Sequence, residues 1–478
     1  MGCTRSRSRI WGELASAAVL VALLWPSCAW AAFASQFSLS VGEQYNDNIF
    51  FAKKKEHDFV TIITPTLHLY YAPTGQAVPT LTLNISPSGH IYARHSELNS
   101  FGFTDNAAAS GGYTYHYSPR LTFHISDVFQ RQGQTRTPGT DFDGFQLPLT
   151  PTTPPPLGTP APRVPGQNLN DFISRGDQLS NTFSFYGNFR YRPDISFTGG
   201  YANTYSKFIT AGGSDWSQTF SVRGVYNWKQ EHNLHIGYSL TSTNSRNGDS
   251  GVIHNFDFGD DYFTSQVYKI ELTPTLSLSA STGLSINTSK SGPRVANNST
   301  VTLTKLWETA SLTGGIRKGL TPSFGVSGVS DTTTFFTNFA IQLAERISGN
   351  AGADYSFWDT EDVNFKTAQV SAGLHYAITT WLSSSLTYSY RFINSGAGAA
   401  ETDLLSRGNV NGNSVFLRVT ARFDLWPNLG LARSLSSSAL SPVLRTPFAT
   451  VPTEATPTTP ATPTTPTAPS TPTAPSKS

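Results

Sequence analysis

The chain is poor in cysteine, poor in charge and has no long apolar run. Its 478 residues include two cysteines and one methionine, and Asp, Glu, Lys and Arg together make up only 13%, against about 25% in an average soluble protein. The formal net charge of +2 gives no basic excess for binding nucleic acid. Beyond the N-terminus no stretch approaches the roughly 20 apolar residues of a membrane-spanning helix. The sequence therefore excludes a helical membrane bundle.

The first 31 residues have the pattern of a secretory signal peptide. Three arginines within residues 5–9 precede a short apolar run at 15–25, and Ala29–Ala31 reads as an Ala-x-Ala cleavage site. A membrane anchor is one alternative, but the run is too short to span a bilayer. A lipoprotein acylated at Cys28 is another, although the preceding Trp-Pro-Ser fits that signal poorly. Cleavage after Ala31 would remove both cysteines, so we expect an exported protein without disulfides.

Strong period-2 alternation follows the signal peptide and continues to Trp426. The stretch 382–392 is the clearest example, because Leu, Tyr and Phe on one face alternate with Ser, Thr and Arg on the other. This pattern predicts β-strands with two different faces. The predicted strands are about 9 to 13 residues long, and a tilted strand needs about 9 to 11 residues to cross a membrane.

The connections between the predicted strands alternate between short and long. Short ones are expected at 193–194 and 378–380, and long ones at 245–251, 289–298 and 394–412. Tight turns on one side and long loops on the other are typical of transmembrane barrels. We therefore predict an all-β fold, a transmembrane antiparallel up-and-down barrel of about 16–18 strands.

Proline sets the organisation of the chain. The predicted domains are a signal peptide at 1–31, a barrel at 32–426 with a Pro-rich extracellular loop at 133–178, and a disordered Pro/Thr-rich periplasmic tail at 427–478. Neither Pro-rich segment can bury a core. The tail is interpreted as a passive spacer, with binding to the cell wall or a periplasmic partner as the alternative. Two further prolines, Pro65 and Pro87, lie inside predicted strands, which we expect to be bulged or shortened there.

In such a barrel the apolar face meets lipid and the Ser/Thr/Asn/Gly face lines the lumen. The aromatic residues expected at the membrane interface are Tyr191, Trp228, Trp307 and Tyr376. The basic residues expected to line the lumen are Arg190, Arg223, Arg317, Arg391, Arg418 and Arg422. The acidic residues expected there are Glu271, Asp354 and Asp424. We interpret the arginine excess as a mild preference for anionic or sugar-like solutes; the alternative is structural charges paired across strands.

Known catalytic patterns are missing from the sequence. It contains no HExxH, GxSxG or phosphate-binding loop motif. The lumen-facing His235 and His375 have serines nearby, which leaves a barrel hydrolase as the only catalytic alternative. We expect no enzyme activity, no cofactor and no metal site.

The segment Ser40–Phe50 reads Ser-Val-Gly-Glu-Gln-Tyr-Asn-Asp-Asn-Ile-Phe, followed by Asp58–Thr61 and Thr64-Pro65. It resembles bacterial outer-membrane β-barrel porins that are often found with exopolysaccharide or exosortase (PEP-CTERM) systems. The segment 302–312 is also similar to a tight periplasmic turn of that family. The resemblance covers about 36–426 and implies no catalytic residues. Barrels normally end on an aromatic-tipped strand, whereas this chain continues beyond Trp426.

The sequence therefore predicts an outer-membrane channel for passive passage of small solutes or exopolysaccharide. A non-conducting barrel that anchors envelope material is one alternative, and a soluble periplasmic β-propeller is another. The expected partners are outer-membrane lipid, the β-barrel assembly machinery and components of a polysaccharide-export system, with no nucleic acid.

Overall fold

Twelve stretches of the chain are described by the computed structural model. They are residues 33–71, 81–102, 106–133, 177–209, 212–229, 232–244, 250–264, 276–289, 292–322, 329–359, 364–395 and 409–426. The predicted signal peptide, most of the predicted Pro-rich loop and the predicted tail lie outside the described residues.

Twenty strand segments and a single 3₁₀ turn, Ser96–Leu98, make up the regular structure of the described stretches. The strands are β1 (Phe33–Asn46), β2 (Asp58–Tyr71), β3 (Leu81–Pro87), β4 (Gly89–Tyr92), β5 (Ser100–Phe101), β6 (Ala107–Ser118), β7 (Leu121–Gln132), β8 (Gln178–Arg190), β9 (Ile195–Phe208), β10 (Ser214–Lys229), β11 (His232–Asn244), β12 (Ser250–Thr264), β13 (Leu276–Ser289), β14 (Gly292–Leu306), β15 (Ala310–Pro322), β16 (Val329–Ala344), β17 (Ile347–Asp359), β18 (Asn364–Ala377), β19 (Leu382–Ser395) and β20 (Asn409–Trp426). No helix in these stretches is long and apolar enough to cross a bilayer.

The strands form one closed antiparallel ring. Each pairs with its neighbours in chain order, and β1 pairs with β20 from Asn46↔Ser414 to Ser35↔Trp426. Segments β3 and β4 lie end to end along β2 and count as one barrel strand, while β5 pairs only with β4. The ring therefore has eighteen barrel strands. The predicted up-and-down barrel is confirmed, and a single closed sheet excludes the separate four-stranded blades of a propeller.

The two internal prolines have different effects. Pro87 ends β3, and the barrel strand resumes at Gly89. Opposite this break, residues 64–66 of β2 pair with no residue of β3 or β4. On its other side β2 pairs with β1 without a register shift, and Pro65 lies opposite Leu39 there. The register is the same on both sides of the gap and places Pro65 opposite Pro87, so the predicted interruption falls where two nitrogens that cannot donate to the ladder face each other.

The alternation divides each barrel strand into an apolar outer face and a polar inner face. On β19, Leu386 is 48% and Tyr388 40% exposed, whereas Ser383 is 7% and Ser389 2% exposed. The same division recurs around the ring, so that large exposed apolar side chains form a continuous outer belt. Such a belt is unusual for a soluble surface and is suited to a hydrocarbon surrounding.

The barrel strands are longer than predicted. Apart from the broken third one they contain 12 to 18 residues, and the long loop predicted at 289–298 is wrong because β14 begins at Gly292. Backbone pairing continues beyond the apolar belt, where outward positions are polar. On β20 the outward positions before Val415 are Asn409, Asn411 and Asn413, and Asn413 accepts a hydrogen bond from Tyr388 (2.8 Å). The alternation of apolar with polar residues in the sequence ends where the belt ends. A strand length predicted from that alternation is therefore too short.

Short turns cluster at the end of the barrel where β1 begins and β20 ends. The connections 191–194, 307–309, 345–346 and 378–381 lie at this end. The longer connections 133–177 and 396–408 lie at the opposite end. An even number of barrel strands places both ends of the barrel domain on the same side, as predicted.

The Tyr-Asn-Asp-Asn-Ile segment locks the seam between the first and last strands. The Asp47 amide donates to the Asn413 carbonyl (3.0 Å), and the Asp47 carboxylate accepts from the Asn413 amide (2.6 Å) and side chain (2.9 Å). The buried Asn48 side chain donates to the Ala52 (2.7 Å) and Asn411 (2.8 Å) carbonyls and accepts from the Ala52 amide (2.8 Å). The sequence segment that carries the family resemblance therefore connects residues more than 360 positions apart.

We expect Asn48→Ala to lower the free energy of unfolding of the barrel by about 1–3 kcal/mol, because it leaves partly buried backbone groups of Ala52 and Asn411 unpaired. Urea titration of the refolded barrel, with heat-modifiable gel migration as a second readout, measures the change. The matched control is Asn233→Ala on β11, whose side chain makes no hydrogen bond within the described stretches and which should stay within about 0.5 kcal/mol. Equal losses in both variants would contradict the locking role of Asn48.

Candidate functional site

The interior of the barrel is the candidate site. Rings of 16–18 strands are wide enough to enclose an aqueous channel. Small hydroxyl and amide side chains dominate the inner face. The innermost, all under 10% exposed, include Ser184, Ser221, Ser285, Asn287, Thr334, Ser356, Thr367 and Ser371. Neighbouring hydroxyls pair across the strands, as between Thr334 and Ser356 (2.8 Å), so these side chains form a polar layer without a fixed charge.

All six predicted arginines occupy inward-facing positions. Arg223 and Arg391 are each only 7% exposed, whereas Arg190 is exposed at the short-turn end of β8. Strands β10 and β19 lie half-way round the ring from each other. Arg223 and Arg391 therefore belong to opposite walls of the lumen.

The last strand carries two of the arginines at closely spaced positions. Arg418 lies opposite Gly42 of β1, and Arg422 lies opposite Ser38. The Arg418 guanidinium is 5.9 Å from the centre of the Phe416 ring. A Cβ on Gly42 would lie 2.6 Å from the same ring, so only glycine leaves room for Phe416 beside Arg418.

The predicted acidic residues are fewer and lie close to polar partners. Asp354 is 6% exposed and lies opposite Gln369, which in turn lies opposite Arg391. Asp424 accepts a hydrogen bond from Gln36 (3.1 Å). Glu271 lies outside the described residues. Basic groups thus outnumber acidic groups along the described inner face at the predicted positions.

Sequence reasoning missed Asp257, an acidic residue of the inner face. His235 Nε2 lies 3.8 Å from Asp257 Oδ2. Gly237 is the cross-strand partner of both Arg223 and Asp257, and the Asp257 carboxylate lies where a Cβ of Gly237 would be. Because Phe256 and Phe258 flank Asp257 in the sequence, period-2 alternation could have placed Asp257 on the inner face. The residues that it contacts on neighbouring strands depend on the register of pairing, which the sequence does not show. No group of three or more His, Cys, Asp or Glu in the described part of the chain is arranged to hold a metal ion.

The predicted interfacial aromatics all point outward at the short-turn end. Tyr191, Trp228, Trp307 and Tyr376 are between 43% and 56% exposed. Trp381, which the sequence reasoning did not name, lies in the adjacent turn and is 51% exposed. Amphipathic rings at such positions are typical of membrane interfaces.

An apolar patch interrupts the polar inner face near the opposite end. Its buried members are Val60, Ile62, Tyr92 and Phe416, and Leu98 packs against them from the lumen side. Leu98 belongs to residues 93–99, named here the inner loop. The loop therefore covers part of the inner wall at this level.

Buried Asp58 holds the inner loop in place. Its carboxylate accepts hydrogen bonds from the amides of Arg94 and His95 (both 3.0 Å) and contacts His95 Nδ1 (2.8 Å). The second ring nitrogen of His95 lies 3.3 Å from Glu56. The His95 imidazole between two carboxylates therefore joins this loop to the start of β2.

Comparisons with known proteins found similarity at the level of structure. No family model matches it, and no curated protein matches it. Similar solved structures include "Anion-selective porin from Comamonas acidovorans", with 9% identity and a TM-score of 0.34 over 82% of this chain and 100% of the other. Pseudomonas aeruginosa OccK2 (OpdF) in complex with glucuronate is 9% identical with a TM-score of 0.45 over 82% of this chain and 98% of the other. Pseudomonas aeruginosa OpdQ is 9% identical with a TM-score of 0.43 over 82% and 99%.

The Asp58 contact gives the inner loop a pH dependence. Its hydrogen bond raises the pKa of His95 above the ordinary 6.5, with Glu56 and Glu97 adding to the effect against a smaller opposing contribution from burial. A raised pKa means that this stabilisation is complete below pH about 6.5 and is lost as the pH rises through the folded-state value. We expect amides 94 and 95 to become less protected as the pH rises above 6.5.

Hydrogen exchange of the barrel in detergent, corrected for the intrinsic rate, measures this protection. The His95→Gln variant keeps a hydrogen-bonding side chain but cannot take up a proton, so its protection should not change with pH in this window. Protection that is pH-independent in the unsubstituted protein would refute the prediction.

Proposed function

We propose that the protein is an outer-membrane channel that lets small solutes diffuse passively. The observation that carries this proposal is the closed ring of eighteen barrel strands with an apolar outer face and a hydroxyl-rich inner face. In lipid every backbone N–H and C=O must be paired internally, and a closed ring pairs them without an edge. An inner face of serine, threonine and asparagine is suited to water rather than to a dry core.

We further propose that the lumen favours anions and hydroxylated solutes. Six inward arginines support this, set against five inward acids among the described residues, Asp58, Asp215, Asp257, Asp354 and Asp424, of which Asp58 is already engaged by the inner loop. The guanidinium group stays charged at every physiological pH, and rings of charged side chains select among permeating ions. The hydroxyl and amide groups between the arginines would replace part of a solute's hydration shell.

The route to the membrane is part of the same proposal. Residues 1–31 would direct export, and the outward aromatics near the short turns would lie at the periplasmic interface. The β-barrel assembly machinery would insert the chain, and the tail would remain in the periplasm. Passage of an exopolysaccharide is supported only by the resemblance of the segment around Tyr45–Ile49, so small solutes are the primary proposal.

Planar-bilayer recording tests the proposal. We expect the refolded barrel to conduct and its reversal potential in a KCl gradient to indicate a preference for chloride. Arg418→Gln combined with Arg422→Gln should move the chloride-to-potassium permeability ratio towards unity, because two lumen charges are removed at similar side-chain size. Arg120→Gln, in the exposed turn between β6 and β7, is the matched control and should leave the ratio unchanged.

The outcomes separate the two parts of the proposal. A correctly folded barrel that never conducts would overturn the channel and favour an anchoring role. A conducting barrel that prefers potassium, with no response to the double substitution, would overturn the anion preference alone.

A further inference from the structure

A pocket of about 100 Å³ opens in the inner wall between β12, β14, β15 and β16. A single water needs roughly 10–15 Å³ of such space, so the pocket has room for several waters or for a small organic solute. Its wall contains one guanidinium, one lysine side chain, two amides, hydroxyl groups and one apolar side chain. The principal contributors are Arg317, Asn255, Asn298, Thr332, Thr334 and Leu320.

The pocket arises because the end of the β15–β16 hairpin leaves the barrel wall. Pairing of β15 with β14 stops at Ser299↔Lys318, whereas pairing of β15 with β16 continues to Pro322↔Val329. Beyond the break, Leu320 and Val329 are buried against Ile253 and Ala296, which are inward-facing residues of β12 and β14. The end of the hairpin therefore inclines into the lumen.

A long-range ion pair spans the same region. Arg294 of β14 contacts the carboxylate of Asp359 at the end of β17 (2.9 Å), although β15 and β16 lie between these two strands in the ring. Such a contact is possible because the intervening hairpin end has moved inward. The pocket is thus built into the fold by the point at which the pairing of β14 with β15 stops.

The charge of the pocket is unbalanced. Its lining includes Arg317 and Lys318 and no acidic residue. Arg317 is partly buried on the inner face and makes no hydrogen bond or ion pair with any residue in the described stretches. A guanidinium withdrawn from bulk water without a counter-charge is unfavourable, and a carboxylate is the anion that its planar donors fit best.

The remaining polar groups are neutral and suited to hydroxyl groups. Thr332 shares a hydrogen bond with Thr321 (2.7 Å), and Thr334 shares one with Ser356 (2.8 Å). Each hydroxyl keeps further hydrogen-bonding capacity, and the amide of Asn298 can both donate and accept. Leu320 offers an apolar surface to the carbon chain of a ligand.

We propose that this pocket is a binding subsite for small hydroxylated carboxylates, with the carboxylate on Arg317 and the hydroxyl groups on Asn298 and Thr332. The inference rests on the proposed function in that the lumen would deliver the solute to the pocket. It adds to that function a binding location and a chemical class of solute.

Three-carbon probes separate the contributions of charge and hydroxyl groups. Isothermal titration calorimetry of the refolded full-length protein in detergent should give saturable binding of glycerate. Propionate lacks the hydroxyl groups and glycerol lacks the carboxylate. Each should therefore bind at least about tenfold more weakly than glycerate. One charge-assisted hydrogen bond accounts for a difference of this size.

Substitutions assign the binding to the pocket. Arg317→Gln should weaken glycerate binding about tenfold or more, and Thr332→Val should reduce the advantage of glycerate over propionate. Arg120→Gln, which removes the same charge from an exposed turn, should bind as the unsubstituted protein does. If Arg317→Gln loses heat-modifiable migration, Arg317→Lys replaces it and should bind with intermediate affinity, because lysine keeps the charge but not the planar donors.

Calorimetry needs no conductance, so the pocket and the channel are tested independently. Absence of saturable glycerate binding, or equal affinity in the folded Arg317 variant, would overturn the subsite while leaving the channel proposal intact. Binding by a barrel that does not conduct would support the pocket and overturn the channel.

Discussion

The pairing of β1 with β20 is the constraint on which the rest of the structure depends. A sheet of eighteen strands left open would expose two edges of unpaired backbone groups, and no such edge is tolerated in lipid. Closure gives every strand two neighbours and divides all side chains into an inner and an outer set. Asp47 and Asn48 stabilise this closure through Asn411 and Asn413, at the rim where the first and last strands meet.

The low charge content follows from the two faces that closure creates. Outward positions within the belt are apolar, since a charge there would have to be desolvated. Inward positions are mostly hydroxyls and amides, which carry hydrogen-bonding groups without a fixed charge. The few charges inside are distributed over several strands, and Arg418 and Arg422 lie on the strand that closes the ring.

Two departures from a smooth cylinder give the lumen its character. The inner loop lies on an apolar patch and is held by Asp58 and His95. The end of the β15–β16 hairpin inclines inward and leaves a pocket around Arg317. Both place chain in the lumen where a regular ring would have none, and both bring together side chains from strands that are not neighbours in the ring. Solute discrimination in a wide barrel requires such local narrowing, because a wide aqueous lumen alone screens charge strongly.

Alternation in the sequence determined the class of fold, the inward position of the six arginines, the outward position of residues such as Trp228, and the end of the last strand at Trp426. These are local properties, because each residue of a strand takes the face opposite to its neighbour. The sequence did not show that Gly292 already belongs to a strand, since polar residues on both faces hide a strand that extends past the apolar belt. Nor could it show the contacts of Asp257 or Arg317. Only the tertiary structure decided those, because they depend on register and on where neighbouring strands separate. Register is fixed by cross-strand pairing around the whole ring and by a closing pair of strands more than 360 residues apart, and no local pattern carries that information.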